Sequence, residues 1–564
     1  MLERCEHMRL GARRCMRLIL LASCSVPLAA QPVRGIGDDA TTPRSRSIRV
    51  QLSTSISDWS ERYGRSAAGV AQREALGYDF TTDTLGVSLF PGLGGVQGAL
   101  RTLTGNSSFT LSLARTTLAT TIRTQTTPIL LEAGVSNRLS FGLLVPVVTA
   151  RTEAVFNVNP RGVGGNVSLN PARLRDADAA TNALLVSQVS TSRDLLAVQL
   201  ASCTANPASS ASCPSVLVTA PALTSSAAAF AQGIATVYGT TRTNGSAFVP
   251  YIGSAADSAI RARVTALRTQ FAQFGINAID ANTTGPAPAL AALTPLALQN
   301  AIADSTLGLV AAPLRTITRQ GIGDIELSTK LRLFDSFGFG SDTTRYQARG
   351  LNIRQSVGAA FRLGTGTIDQ PDHYLDVGTG QGQNDIEVRS FTDVVYGRRF
   401  FGSLIARYTV QLADEQMLRI TDRPEQVFAP AYRERLVNRN LGDQLELVFT
   451  PRWTLSDYFS VGAQYLFRHK AEDVFSGTYT VTPAESGLPT ALTLDASTLR
   501  FETAATEHRA GLGITFSSVA AHSRGKAKLP IEIQYLNSRT ITGSGGAVPK
   551  LSIHEVQLRF YPDF

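Results

Sequence analysis

The chain has 564 residues, a formal net charge of +9, 43% hydrophobic and 17% charged residues. Its charges are scattered and no basic stripe is interleaved with aromatics, which excludes nucleic-acid binding of the usual electrostatic kind. Beyond the first thirty residues no unbroken apolar run approaches the roughly 20 residues of a membrane-spanning helix. If the chain enters a membrane it must do so as a closed barrel, the other architecture that satisfies the backbone in hydrocarbon.

Residues 1–30 read as a secretory signal peptide. Arg13, Arg14 and Arg17 precede an apolar run from Leu18 to Leu28 that ends in Ala29-Ala30 before Gln31. Leu21-Ala22-Ser23-Cys24 also fits a lipidation box with a short apolar core, and Met8 or Met16 is an alternative start. Removing this leader, with its five arginines and two glutamates, leaves a net charge of +6. Cys5, Cys15 and Cys24 leave with it, so Cys203 and Cys213 remain as a close pair in an exported chain. A disulfide between them is expected, constraining the unfolded chain by roughly 3 kcal/mol.

Residues 31–157 hold the first barrel strands and a long first loop. Ser47 to Ile56 alternates apolar and polar residues, which predicts a strand with one apolar face. The Gly-rich stretch 58–108 reads as a loop available to fold back into a pore. A strand is expected from Phe109 to Val135, then a tight turn at Ser136-Asn137-Arg138. Its partner carries Leu139, Phe141, Leu143, Val145 and Val147 on one face.

Residues 158–320 change character. They are Ala-rich and carry helical spacing at Leu185, Val189, Leu196 and Leu200, then at Ile260, Val264, Leu267, Phe271 and Phe274. Asn170-Pro171 and Ser254 ahead of Asp257 read as helix starts, and Gly275 as a stop. A helical insertion in an extracellular loop is predicted; the alternative is a disordered surface loop.

Strand alternation resumes over 321–564, with strands expected at about 321–333, 351–363, 386–398, 402–413, 441–453, 458–470, 499–516, 529–541 and 549–564. With the three earlier ones they make about twelve antiparallel strands, an even number as in single-chain bacterial barrels. Placing both termini in the periplasm makes most inner turns short and the outer connections long, as the barrel rule requires; 335–350 is the misfit. Phe334, Phe337, Phe339, Phe400, Phe401, Trp453, Tyr458 and Phe459 gather near those turns as an expected aromatic girdle. In the last strand Val556, Leu558, Phe560 and Pro562 alternate with polar residues up to a terminal Phe564. This resembles the closing strand of outer-membrane barrels, whose final aromatic residue implies recognition by the barrel-assembly machinery.

Gly321-Ile-Gly-Asp324, Arg362-Leu-Gly-Thr-Gly366 and Asp376-Val-Gly-Thr-Gly380, followed by Asp385, resemble the outer-membrane proteins named after the MetA pathway of phenol degradation. The resemblance covers roughly 110–157 and 321–564 and leaves out the insertion. It implies an outer-membrane channel, distantly like fatty-acid and aromatic-hydrocarbon transporters.

With apolar faces meeting lipid, the lumen would receive Glu326, Lys330, Arg332, Glu387, Arg389, Arg407, Gln411, Glu446, Arg452, Gln464, Arg468, Arg509, Glu532, Gln534, Gln557 and Arg559. Twelve strands lie between filled eight-stranded barrels and open sixteen-stranded porins, so a narrow, partly plugged conduit is expected. The reading is passive diffusion of small, mostly hydrophobic or aromatic molecules, with no cofactor and no metal. One alternative is a structural or partner-binding barrel with a sealed lumen. The other is a barrel-embedded hydrolase, for which His508 beside Glu507 is the one titratable pair well inside a strand. Asp369, Asp372, His373 and Asp376 form a solvated acidic loop in this reading, with cation binding the lesser alternative.

Overall fold

In a computed structural model the described residues run from 38 to 560, apart from 66–70, 88–89, 161–163, 306–308, 339–349, 423–427, 487–489 and 523–524. The leader, Cys24 and Phe564 lie outside them.

Twelve antiparallel strands form a closed barrel in sequence order. They are β1 (Ile48–Trp59), β2 (Thr116–Gly134), β3 (Leu139–Val158), β4 in two pieces (Ile317–Ile322 and Ile325–Asp335), β5 (Leu351–Leu363) and β6 (Asp385–Tyr396). They continue with β7 (Phe400–Gln411), β8 (Gln444–Thr454), β9 (Phe459–Lys470), β10 (Ala505–Ser517), β11 (Ile531–Ser544) and β12 (Ser552–Phe560). Closure comes from β1 against β12, in register from Val50 opposite Phe560 to Asp58 opposite Ser552.

The wall follows from the period-two pattern. Along β7, Leu404, Tyr408 and Val410 point out and are exposed, while Ser403, Ile405, Arg407, Thr409 and Gln411 point in and are buried. The outward apolar row continues over Phe449 and Leu447 on β8, Val461 and Tyr465 on β9, and Val556 and Leu558 on β12. An exposed apolar belt around a charged interior inverts the arrangement of a water-soluble protein, and its stable setting is a bilayer.

Besides register shifts at Gln355/Ser356 and His508/Arg509, the ladder is broken where two prolines meet. Pro128 and Pro146, neither able to donate a hydrogen bond, lie opposite each other on β2 and β3. β4 is interrupted at Gly323-Asp324, and there the Gly323 N–H bonds the Pro146 carbonyl at 2.8 Å. Short turns at Val135–Arg138, Gly397–Arg399 and Leu455–Tyr458 join strands at one end, with Gly397 at φ +58°.

At the other end the long connections fold together into a cap. Its helices are α1 (Gly94–Thr104), α2 (Asp176–Ala205), α3 (Cys213–Val237), α4 (Ala255–Ala272) and α5 (Pro295–Ala303). Ser254 caps α4 by accepting the Asp257 N–H at 3.2 Å, and Gly275 follows it at φ +75°. Asn170 caps only a short turn; α2 starts later, at Asp176. Cys203 and Cys213 are disulfide-bonded and join the end of α2 to the start of α3. α3 is long and apolar enough to cross a membrane by length and composition, yet it packs on α1 and α2 with Val216, Ala220, Leu223 and Phe230 buried.

Several expectations are corrected. Residues 60–115 do not fold into the pore: they form a hairpin (Glu61–Arg65 with Ala71–Ala75) and α1, which packs on α3. β2 begins at Thr116, because Phe109, Leu111 and Leu113 are buried in the cap core. β10 begins at Ala505, since Ala496–Arg500 is a short 3-10 helix. In the girdle, Phe400 meets Trp453 at 6.3 Å, but Phe401 turns inward and packs on Val395. Phe337 lies against the Arg354 guanidinium, and Phe339 is outside the described residues.

An arginine facing hydrocarbon near mid-height should destabilise the barrel by about 2–4 kcal/mol. Leu404→Arg is therefore expected to lower the urea midpoint of the barrel refolded in lipid, whereas Ser53→Ala on the inward face, whose hydroxyl has no hydrogen-bond partner among the described residues, should change stability by less than about 1 kcal/mol. Denaturant titration followed by intrinsic fluorescence checks both.

Candidate functional site

The inner face carries charges of alternating sign on successive strands. Arg389 on β6 donates to Glu326 on β4 at 2.7 Å and also pairs with Glu387. Arg362 on β5 bonds Asp385 at 2.6 Å and Glu387 at 3.2 Å. Farther round, Glu446 on β8 takes Arg407 from β7 and Arg468 from β9, the latter at 2.7 Å. Glu507 on β10 then holds Arg468 at 3.5 Å and Arg509 at 2.8 Å, and accepts the Thr540 hydroxyl of β11 at 3.0 Å. Glu532 lies 3.6 Å from Arg452 and 3.8 Å from Arg559.

Lys330 and Arg332 on β4 point inward as well, toward the segment described next. Of the neutral positions, Gln534 donates to Glu532 at 2.5 Å, Gln411 and Gln557 are buried, and Gln464 lines the cavity below. Removing one member of such a buried pair strands the other and costs about 3–5 kcal/mol. Arg49, Glu132, Arg354, Asp393 and Glu555 lie in phase with the polar rows and also face inward. Asp335 is the residue that strict alternation hides: a bulge at Leu333 on β4, opposite Gln355/Ser356, shifts the phase and turns Asp335 into the lumen.

Residues 38–42 lie across the turn end of the lumen. Asp38 bonds Lys330 at 3.3 Å and Arg407 at 2.8 Å. Asp39 lies 3.7 Å from Arg559, and its carbonyl accepts from Lys330 at 3.0 Å. The Ala40 N–H bonds Asp393 at 3.0 Å and its carbonyl accepts the Ser356 hydroxyl at 2.6 Å. Arg332 donates to the Thr42 carbonyl at 2.9 Å. Nothing in Asp38-Asp39-Ala40-Thr41-Thr42 alternates, so period-two reasoning cannot see a segment whose partners lie hundreds of residues away.

Above it the lumen opens into a cavity of about 220 Å³. Apolar side chains face it from Trp59, Ile405, Leu441, Leu466, Leu536 and Ile553, and the charged row passes along one side through Arg407, Glu446, Arg468 and Glu507. Its roof includes Ile368, Asp369 and Gly380-Gln381 of the β5–β6 loop. That loop is tied down at Asp324, whose carboxylate accepts the Gly366 N–H at 2.9 Å and the Gln381 N–H at 2.7 Å. A Cβ on Gly380 would lie 2.4 Å from Asp324, so glycine is required by close approach. The three Gly/Asp motifs thus meet in space around one carboxylate.

Asp376 bonds Arg319 at 2.6 Å, and the Asp369 carboxylate accepts the Gly378 N–H. Burial pushes the Asp369 carboxyl up to about 6, against that N–H and with Asp376 adding to the rise. Among the described residues no group of three or more His, Cys, Asp or Glu side chains is placed to hold a metal ion. Glu507 and His508 point to opposite sides of β10: Glu507 faces the lumen, and His508 meets the outward Tyr465 hydroxyl at 2.7 Å. They cannot act on one bound molecule.

No family model matches the chain, and no curated protein matches it in sequence. Among solved structures it is similar to an outer membrane channel from Pseudomonas putida F1, at 7% identity and a TM-score of 0.40 over 94% of this chain and 100% of that one. It is also similar to a Pseudomonas aeruginosa FadL homologue, at 9% identity and a TM-score of 0.28 over 91% and 90%. The transport unit of the autotransporter AIDA-I from Escherichia coli gives 6% identity and a TM-score of 0.30 over 95% and 94%.

Two outcomes follow from this geometry. Replacing Asp38 and Asp39 with Ala removes the anchors of segment 38–42, and single-channel conductance in planar bilayers is expected to rise several-fold over the native barrel. Asp369 has a raised pKa, so its ionisation opposes folding as pH climbs from about 4 through about 6. Asp369→Asn keeps an acceptor for Gly378 without the charge; it should raise the melting temperature at pH 7.5 and leave it nearly unchanged at pH 4.

Proposed function

We propose that this barrel sits in the outer membrane and passes small, mostly hydrophobic or aromatic molecules by passive diffusion. The observation that carries this reading is an apolar-walled cavity inside a membrane-embedded cylinder, beneath a cap and above segment 38–42. The lumen charges are largely paired with one another, so the wall offers a neutral solute little net field. Glu326, Lys330, Arg332, Glu387, Arg389, Arg407, Glu446, Arg452, Arg468, Arg509, Glu532 and Arg559 line that passage in this reading. The convergence of three Gly/Asp motifs on Asp324 supports kinship with the MetA-pathway outer-membrane proteins.

Assembly partners follow from the same reading. The C-terminal strand, through Val556, Leu558, Phe560 and Phe564, is the signal for the barrel-assembly machinery, and lipid is the partner of the outer face. A sealed structural barrel is the second reading, favoured by the bonds that hold segment 38–42 across the lumen.

Proteoliposomes decide between the two. Folded barrel should speed the entry of labelled toluene at least several-fold over empty vesicles while giving little swelling in sugars. If neither toluene entry nor swelling changes, the sealed-barrel reading replaces this one.

A further inference from the structure

Seven glutamates face the lumen from the strands. Glu132, Glu326, Glu387, Glu446, Glu507 and Glu532 each pair with an arginine on the wall. Glu555 on β12 is the exception: it is 3% exposed and makes neither a hydrogen bond nor a salt bridge among the described residues, although it lines the cavity. Its neighbour in charge, Arg509, is held by Glu507 at 2.8 Å. A buried carboxylate without a partner is destabilising unless it takes up a proton or meets a cation from outside the chain, and one that lines a cavity is open to the second.

The surroundings say what kind of cation. Glu555 is level with Ser55 on β1, whose hydroxyl likewise has no partner, and with Leu536 on β11. The same row continues to Gly513 on β10 and Gly462 on β9, which carry no side chains. Ser57 and Trp59 follow Ser55 on the same inward face, with Ile553 opposite Ser57. Ser55 and Trp59 are about 14 Å apart along an extended strand. A carboxylate and a hydroxyl therefore stand at one end of a wall made of Ile553 and Leu536 with the uncharged side chains of Ser57, Thr124 and Thr126, and an indole at the other.

A hydrated metal ion would find no second carboxylate at Glu555, since among the described residues no cluster of acidic side chains gathers there. An ammonium carries three donors, suited to a carboxylate and a hydroxyl. An apolar cavity of about 150 Å³ holds benzene, so 220 Å³ suits one ring with a short chain. We infer that Glu555 and Ser55 form a subsite for a small arylalkyl amine in its ammonium form, with the ring lying toward Ile553 and Trp59. The inference rests on reading the barrel as a passage for small apolar molecules and names a class among them.

The full-length barrel is tested in detergent with 2-phenylethylamine and its neutral counterpart 2-phenylethanol at pH 7. Trp59 and Trp453 are the two tryptophans, so Trp453→Phe leaves Trp59 as the reporter. Calorimetry on the unmodified barrel repeats the measurement, and heat-modifiable mobility establishes that each variant is folded. The amine is expected to bind at least about ten times more tightly than the alcohol, the scale of one charge-assisted hydrogen bond. Glu555→Gln should bring that ratio to near one, and Glu555→Asp should keep part of it.

A ratio near one in the native barrel, or a ratio untouched by Glu555→Gln, overturns the subsite. Toluene entry into proteoliposomes is read separately. Entry without amine preference sinks the subsite alone, and amine preference without entry sinks the channel reading alone.

Discussion

Backbone pairing in hydrocarbon is the constraint on which the rest depends. An N–H or C=O left open to lipid costs several kcal/mol, so a sheet that enters a membrane must have no edge. The pairing of β1 with β12 meets that demand by joining residues about five hundred positions apart in the chain. Once the cylinder is closed, side-chain alternation has only one stable assignment, apolar residues to lipid and polar residues to the lumen. The break in the ladder where Pro128 stands opposite Pro146, beside the interruption of β4, is held by the Gly323 to Pro146 bond and by the Thr379 hydroxyl on the Ile322 carbonyl at 3.0 Å. The loop roofing the cavity thus also completes the wall.

Putting the polar faces inside creates a second problem, since some twenty charged side chains share a narrow space. The chain solves it with alternation of sign: a carboxylate on one strand stands between arginines on its neighbours, as Glu446 does between Arg407 and Arg468. Segment 38–42 extends the same solution, bringing Asp38 and Asp39 to Lys330, Arg407 and Arg559. What remains empty lies between apolar side chains such as Trp59, Leu466 and Ile553 and the paired row Arg407, Glu446, Arg468 and Glu507. The cavity is placed by where the ladder of charges leaves room.

Much of the wall is legible in the sequence because a half-lipid, half-lumen strand writes its environment into every second residue. Leu139 to Val147 shows this most plainly, and the short turns after Val135, Tyr396 and Thr454 follow from it. The helices were legible only where one face is aliphatic. α4 has Ile260, Val264, Leu267 and Phe271 at helical spacing, whereas α3 is Ala- and Ser-rich, contains Pro221, and spreads its small apolar residues around the whole surface. Residues 58–108 look like loop because apolar side chains such as Phe80, Leu85, Phe90, Leu100 and Leu103 are buried against partners elsewhere in the chain. Segment 38–42 and the lone state of Glu555 are invisible for the same reason: each is defined by what stands across the barrel. The Gly/Asp motifs were visible as motifs, but their shared purpose, close packing around Asp324, needed the break in β4 and both ends of the β5–β6 connection to be seen together.

The cap is sewn from distant pieces. Its core draws on Phe80 and Phe90 from the first connection, on all of the insertion helices, and on Tyr374 and Phe428 from connections much later in the chain, with Phe428 5.6 Å from Phe80 and 5.5 Å from Tyr374. The Cys203–Cys213 bond, by contrast, closes within one helical hairpin and requires nothing else to be in place. The cap is thus tied in two ways: a covalent clasp local to one hairpin, and ring contacts that exist only where the β1–β2, β5–β6 and β7–β8 connections meet, so a change in any one of those loops reaches the other two.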